Sequence, residues 1–181
     1  MPLIISRQNQ MNIQKPKITK EDLPEEFRNI KKILSVIDNL KISQPIVNLE
    51  SSEYGACTFN LNNLNILFRT AKTTPTKTGQ FVTLWKRIDQ GPIQPFDSVD
   101  PFDLFIVSTR KDNHFGLFIF PKSILMAKEV VSNKKEGKRA IRVYPPWDIT
   151  TSKQAQKTQK WQLDYFLEIS QNSINDLDQA K

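Results

Sequence analysis

Residues 102–121, with the sequence FDLFIVSTRKDNHFGLFIFP, contain two runs that are rich in aromatic and β-branched side chains. The polar segment RKDN at positions 110–113 separates the two runs. Short apolar runs of this composition are typical of buried strands, and polar residues between them favour a turn. The stretch therefore predicts a β-hairpin.

A second hairpin is predicted upstream, in ACTFNLNNLNILFRTA at positions 56–71. Apolar and polar residues alternate around Asn62 and Asn63, and asparagine tolerates the left-handed backbone of a tight turn. We expect strands at 56–61 and 64–71. The segment GQFVTLWKR at 79–87 predicts a third strand, and KRAIRVYP at 138–145 predicts another that ends at its proline.

Helical patterns occur in three places. The segment EDLPEEFRNIKKILSVIDNL, at 21–40, has apolar residues three and four apart, and Pro24 suits its first turn. A short helix is predicted from Pro121 in PKSILMAKEV. The segment TTSKQAQKTQKWQLDYFLEISQ, at 150–171, predicts a last helix with an apolar stripe of Leu163, Phe166 and Leu167.

Strands bounded by helices predict an α/β or α+β fold with a single domain built on one mixed sheet. The chain has 181 residues, which suits one domain. We expect a flexible basic arm at 1–18, the domain at 19–170 and a frayed polar tail at 171–181. No apolar run is long enough for a signal peptide or a membrane span, so we expect a cytoplasmic protein.

The net charge of +7 is unevenly distributed. Residues 69–87 carry +5, residues 134–142 carry +4 and residues 153–161 carry +3, so the remainder of the chain is acidic. Clustered basic segments on a mildly acidic body are typical of proteins that bind polyanions. The alternative is a solvated, highly charged surface with no partner.

The residue counts exclude several kinds of site. One cysteine, Cys57, allows neither an intramolecular disulfide nor a thiolate metal cluster, and one histidine, His114, allows no multi-histidine metal site. The segment TPTKTG at 74–79 lacks the glycine spacing of a phosphate-binding loop. We expect no resident cofactor.

Three tryptophans, Trp85, Trp147 and Trp161, lie in or next to the basic segments. An exposed aromatic ring beside a cation stacks on unpaired bases, which contributes about 1–3 kcal/mol per base. A buried tryptophan is instead an ordinary core residue. The two interpretations remain open for each ring.

Carboxylates are grouped in SVDPFD, where Asp97, Asp100 and Asp103 precede a predicted strand, and Glu53 precedes the first hairpin. Grouped carboxylates are suited to Mg²⁺, which prefers oxygen ligands. Aspartates before a strand also stabilise turns by accepting backbone hydrogen bonds. Both interpretations are kept.

Six segments in order resemble the MepB family of small bacterial proteins, which in some bacteria are encoded beside a multidrug efflux pump and its repressor. They are SSEYGACTFNLNN, RTAKTTPTKTGQFVTLWKR, PFDSVDPFDLFIV, FGLFIFPKSIL, GKRAIRVYPPWD and QAQKTQKWQLDYF, and they cover about residues 45–167. The resemblance implies a core similar to the restriction-endonuclease-like fold, with a mixed central sheet flanked by helices, and suggests nucleic-acid binding.

Catalytic proteins of that wider group hold Mg²⁺ with an aspartate and a (D/E)xK motif on successive strands. The resembling position here is Thr70-Ala71-Lys72, where the lysine is present and the acid is a threonine. Glu53 matches a further glutamate that such sites contain, and Asn60 or Asn62 stands where an aspartate is expected. The resemblance therefore implies a scaffold whose metal ligands are replaced.

We thus expect a non-catalytic protein that binds single-stranded DNA or RNA in a basic groove. The expected contacts are Arg69, Lys72, Lys77, Lys86, Arg87, Lys138, Arg139, Arg142, Lys153, Lys157, Lys160, Trp85, Trp147 and Trp161. One alternative is a Mg²⁺-dependent nuclease that uses Glu53, Lys72 and Asp103, or another of the grouped aspartates. A second alternative is an interaction protein that docks an acidic protein partner through the same basic surface.

Overall fold

The computed structural model describes residues 23–170, and these residues form three α-helices, a 3₁₀ segment and eleven strands. In chain order they are α1 (Glu25–Ser35), β1 (Ile46–Val47), the 3₁₀ segment (Leu49–Tyr54), β2 (Cys57–Leu61), β3 (Leu64–Thr70), β4 (Lys72–Thr74), β5 (Lys77–Thr83), β6 (Trp85–Arg87), β7 (Ile93–Pro95), β8 (Leu104–Lys111), β9 (His114–Pro121), α2 (Lys122–Ala127), β10 (Ala140–Val143), α3 (Lys153–Leu163) and β11 (Phe166–Glu168). The arm at 1–18 and the tail at 171–181 lie outside the described residues.

Six strands form the main sheet, in the order β1-β2-β3-β8-β9-β11. Strands β3 and β8 are parallel, and the other neighbours are antiparallel. This confirms the predicted α+β fold with a mixed central sheet. The expectation of one sheet is incomplete, because a smaller sheet, β10-β5-β4, and a ribbon of β6 and β7 accompany it within residues 23–170.

Both predicted hairpins form. Strands β2 and β3 turn at Asn62, whose φ is +53°, and strands β8 and β9 turn at Asp112, whose φ is also +53°. Short polar side chains tolerate this left-handed backbone better than bulky ones do. The turn residues of the sequence therefore set the register of both hairpins.

Two predicted elements are divided in the structure. The segment predicted as one strand at 79–87 is β5 followed by β6, because the chain changes pairing partner at the fully buried Leu84. The last helix ends at Leu163, and Phe166 and Leu167 belong to strand β11 instead. Pairing with β9 places the ring centres of Phe166 and Phe118 4.8 Å apart, and this contact explains why an apolar residue occupies position 166.

Two apolar clusters cover the two faces of the main sheet. Phe27 and Ile30 of α1 pack with Ile66 and Phe68 on one face. On the other face, Leu67 packs with the smaller sheet and with α2. Neighbouring strand residues point to opposite faces, so β3 is buried on both sides. Within residues 23–170 no helix has the length and apolarity needed to cross a membrane.

Candidate functional site

A cleft of about 510 Å³ lies between strand β10 and helix α3, and we call it the basic cleft. Its basic lining residues are Lys77, Lys128, Lys138 and Arg142, and Trp161 lies among them. The polar lining residues are Tyr144, Ser152, Gln154, Thr158 and Gln162. None of the lining residues that the structure describes is acidic. The cleft therefore combines positive charge with one large aromatic ring.

Helix α3 is fixed beside β10 by glutamine side chains. Gln162 is only 1% exposed, and its amide accepts from the Tyr144 N–H at 2.9 Å and donates to the Arg142 carbonyl at 2.9 Å. Gln159 donates to the carbonyl oxygens of Pro145 at 3.0 Å and Asp148 at 2.9 Å. These bonds set the width of the cleft.

Arg142 is held at the mouth of the threonine-rich turn, residues 73–80. Its guanidinium donates to the Gly79 carbonyl at 3.0 Å and to the Thr74 hydroxyl at 2.9 Å. Gly79 has φ +83°, and a Cβ there would lie 2.5 Å from the Tyr144 ring. Glycine is therefore required for this turn to approach the cleft so closely.

Within residues 23–170, no carboxylate lies at ion-pair distance from the cations of the basic cleft, Lys77, Lys128, Lys138 and Arg142. The Lys128 ammonium lies 5.5 Å from the centre of the Trp161 ring. Glu129, the next residue, is bound to Lys135 at 2.6 Å, and its pKa is lowered first by this hydrogen bond and to a smaller extent by the charge of Lys138. The cleft is thus suited to an anionic ligand.

Three bases of the segment 69–87 have acidic partners from elsewhere in the chain. Lys72 pairs with Glu53 at 3.2 Å, Lys86 with Asp100 at 2.5 Å, and Arg87 with Glu50 at 3.0 Å. The segment itself contains no acid, so its sequence predicts bases without acidic partners, and these three ion pairs show that this prediction is wrong. Of this segment, the structure brings Lys77 to the basic cleft.

Arg69 was predicted to contact phosphate, but its side chain is 1% exposed. It lies on β3, which is covered on both faces, and it donates to the Phe68 carbonyl at 2.8 Å. Burial lowers the pKa of Arg69 to about 10. The structure therefore removes Arg69 from any surface that binds a ligand.

The remaining predicted bases lie outside the cleft lining. Arg139 binds Glu136 at 2.7 Å. Lys153, Lys157 and Lys160 are exposed on one side of α3, as predicted, but the cleft is lined by positions 154, 155, 158, 161 and 162 of that helix. With 3.6 residues per turn, Lys153 and Lys160 face away from the cleft. Lys128, which lies outside the three basic segments of the sequence, lines the cleft instead.

The three tryptophans have different surroundings. Trp161 lines the basic cleft and packs 5.4 Å from the Phe120 ring. Trp147 is stacked on His114 with ring centres 5.0 Å apart, and Trp85 lies 5.8 Å from the Arg87 guanidinium carbon. Trp161 is the predicted aromatic that the structure places beside the unpaired cations.

The grouped aspartates stabilise turns. Asp97 accepts from the Val99 N–H at 3.2 Å and the Ser98 hydroxyl at 3.0 Å, and these bonds lower the pKa of Asp97. Asp100 accepts from the Asp97 N–H at 2.6 Å. Asp103 accepts from the Asn65 N–H at 2.7 Å. The turn interpretation of these residues accounts for their contacts.

The residues proposed for a nuclease do not meet. Glu53 and Lys72 pair just beyond one end of β3, whereas Asp103 binds Asn65 at the other end. Seven residues of extended chain separate the two places, which corresponds to about 20 Å. Residues 23–170 contain no group of three or more His, Cys, Asp or Glu side chains arranged to hold a metal ion. These side chains do not fit a shared Mg²⁺ site.

Comparison with known proteins adds a family relationship. The model of the MepB-like family matches residues 48–168. The crystal structure of MepB matches with a TM-score of 0.70 and 31% sequence identity, over 81% of this chain and 97% of that chain. A comparison with curated proteins gives no match. All residues that line the basic cleft lie inside the range that the family model matches.

Proposed function

This chain belongs to the MepB-like family, and we propose that it binds single-stranded DNA or RNA in the basic cleft. The observation that carries the proposal is the set of four cations that line one cleft without an acidic neighbour in the lining. Nucleic-acid phosphates release counterions when such cations bind them, so the affinity falls as salt rises. A cytoplasmic location is part of the proposal.

A single strand suits this cleft better than a duplex. Trp161 is half-buried in the wall of the cleft, and the Lys128 ammonium lies over the Trp161 ring. An unpaired base can therefore stack on this tryptophan while Lys128 neutralises the phosphate of the same nucleotide. Bases of a duplex are already stacked on one another. Reading a duplex also requires a helix or ribbon that enters a groove, and α3 is held by Gln159 and Gln162 along β10.

A salt titration of two variants tests the proposal. Fluorescence anisotropy is measured with a labelled oligonucleotide at about 50 and about 200 mM salt. Replacing Lys128 and Lys138 with Gln removes two cleft cations, so the negative slope of log K against log salt should become shallower by about 1.4. The matched control replaces Lys153 and Lys160 with Gln. These two lysines face away from the cleft, so the control should retain the salt dependence of the unaltered protein.

Three outcomes contradict the proposal. The first is equally weak binding by the unaltered protein at both salt concentrations. The second is an equal loss in the control, which would place the contact on the outer side of α3. The third is capture of an acidic protein that persists after nuclease treatment, together with no oligonucleotide binding, which would identify the basic cleft as a protein-docking surface.

A further inference from the structure

A second cleft, of about 400 Å³, lies between the threonine-rich turn at 73–80 and residues 147–149. We call it the threonine cleft. Four threonines line it, together with Lys77, Gln80, Lys111, Trp147 and Asp148. Lys77 also lines the basic cleft, so the two clefts adjoin at this lysine.

Three residues that line the threonine cleft have a buried polar atom without a hydrogen-bond partner among residues 23–170. These atoms are Gln80 Oε1, Trp147 Nε1 and Asp148 Oδ2. Gln80 is 1% exposed and Asp148 is 8% exposed. Buried polar groups in folded proteins are nearly always bonded to protein, water or ligand, so each of these atoms can accept a further partner. Their concentration around one cleft points to a polar ligand.

The three unpartnered atoms define which hydrogen-bonding groups a matching ligand must present. Gln80 Oε1 and Asp148 Oδ2 are acceptors, and the Trp147 indole is a donor. The other Asp148 oxygen is engaged by Lys111 at 3.3 Å. A matching ligand therefore presents two donor groups and one acceptor. The edge of guanine that carries N1–H, the N2 amino group and O6 has this composition, whereas thymine and uracil present a single donor.

We propose that the threonine cleft binds an unpaired guanine of the strand whose phosphates lie in the basic cleft. This inference rests on the proposed function. Lys77 is exposed where the two clefts adjoin, so it neutralises the phosphate that connects them. The threonine hydroxyls add donors and acceptors for the sugar and phosphate.

Trp147 contributes its indole N–H rather than a free stacking face. Its ring is stacked on His114 at 5.0 Å and meets the edge of Phe166 at 5.5 Å. The three orphan atoms are shielded from solvent in the free chain. Entry of a base therefore requires residues 147–149 to move, which costs free energy. A base that supplies the missing hydrogen bonds offsets this cost better than a base that does not.

Base preference is measured with labelled oligothymidylates that carry a central guanine, adenine, cytosine or thymine. We expect about tenfold tighter binding of the guanine strand than of the thymine strand. Asp148→Asn replaces an acceptor by an amide of the same size, and it should abolish this preference without weakening the thymine strand. Trp147→Phe keeps the ring on His114 and removes the N–H, so it should reduce the preference.

Lys138→Gln serves as the control, because it should weaken all four strands equally and leave their ratios unchanged. Equal affinities for the four strands would overturn this inference and leave the proposed function intact. A guanine preference that persists in both Asp148→Asn and Trp147→Phe would place the base elsewhere and also overturn it. Absence of binding to every strand would overturn the proposed function itself.

Discussion

The side-chain amide of Gln162 donates to the backbone carbonyl of Arg142 at 2.9 Å, and this bond joins helix α3 to the edge of strand β10. The same amide accepts from the N–H of Tyr144 at 2.9 Å. In a larger sheet, a neighbouring strand would pair with the same two groups, the carbonyl of Arg142 and the N–H of Tyr144. One glutamine therefore closes the exposed edge of the smaller sheet and positions one wall of the basic cleft.

Replacing Gln162 with leucine should destabilise the fold. The substitution leaves the partly buried N–H of Tyr144 and carbonyl of Arg142 without their partner, and each fully buried orphan of this kind costs about 1–3 kcal/mol. Urea unfolding followed by circular dichroism measures the effect. The control is Gln154→Leu at the rim of the basic cleft, where the side chain is exposed, and it should change the free energy of unfolding by less than about 0.5 kcal/mol. Equal midpoints for Gln162→Leu and the unaltered protein would contradict this role.

Lys86 should matter for stability rather than for ligand affinity. Its ammonium is 2.5 Å from Asp100, and the two side chains are 22% and 15% exposed. Lys86→Gln leaves a partly buried carboxylate without its cation, so the free energy of unfolding should fall by about 1–3 kcal/mol. Lys135→Gln breaks a pair whose side chains are 72% and 57% exposed, and it should have little effect.

A large loss of oligonucleotide affinity in Lys86→Gln, with unchanged stability, would show that the ion pair opens to bind phosphate. Anisotropy on the same samples used for unfolding distinguishes the two results. The comparison uses the same salt concentration throughout, because phosphate binding depends on it.

Local patterns predicted the strands and turns that depend on neighbouring residues. The asparagine at Asn62 and the polar segment before His114 identify both hairpins, because turn chemistry and alternation are properties of a few consecutive residues. Strand β11 was missed, since Phe166 and Leu167 continue the apolar spacing of a helix. Pairing with β9, about 50 residues earlier, decides their conformation.

The candidate site was predicted less well, because its charges are set by distant contacts. Glu50, Glu53 and Asp100 neutralise bases that lie 37, 19 and 14 residues away in the chain, so only the fold brings these partners together. Arg69 was expected at the surface, but β3 is buried on both faces. Of the predicted contacts, the structure places Lys77, Lys138, Arg142 and Trp161 in the lining of the basic cleft, and their role in binding a ligand stays a prediction.

Arg69→Met should leave oligonucleotide affinity unchanged and should not destabilise the protein. Burial lowers the pKa of Arg69 to about 10, which shows that the folded environment destabilises the charged form even though that form still predominates at neutral pH. Methionine fills a similar volume without a charge, and such replacements of buried ions are often neutral or stabilising. Urea unfolding and anisotropy give the two measurements. A loss of affinity at unchanged stability would return Arg69 to the binding surface.

Cys57 should be unreactive in the folded protein. It is fully buried, and burial raises the pKa of its thiol from the ordinary value of 9.0 to about 12. Because thiolate is the reactive form, a disulfide reagent at about pH 8 should label the thiol only after denaturant is added.

The same shift predicts a stability difference at high pH. Between pH 9.0 and about 12 the thiol of the unfolded chain ionises while the folded thiol remains protonated, so rising pH favours unfolding. Cys57→Ala removes this contribution, which is at most about 1.4 kcal/mol per pH unit. The free energy of unfolding of the variant minus that of the unaltered protein should therefore increase from pH 9 upward. A constant difference, or rapid labelling of the folded protein, would show that the thiol reaches solvent.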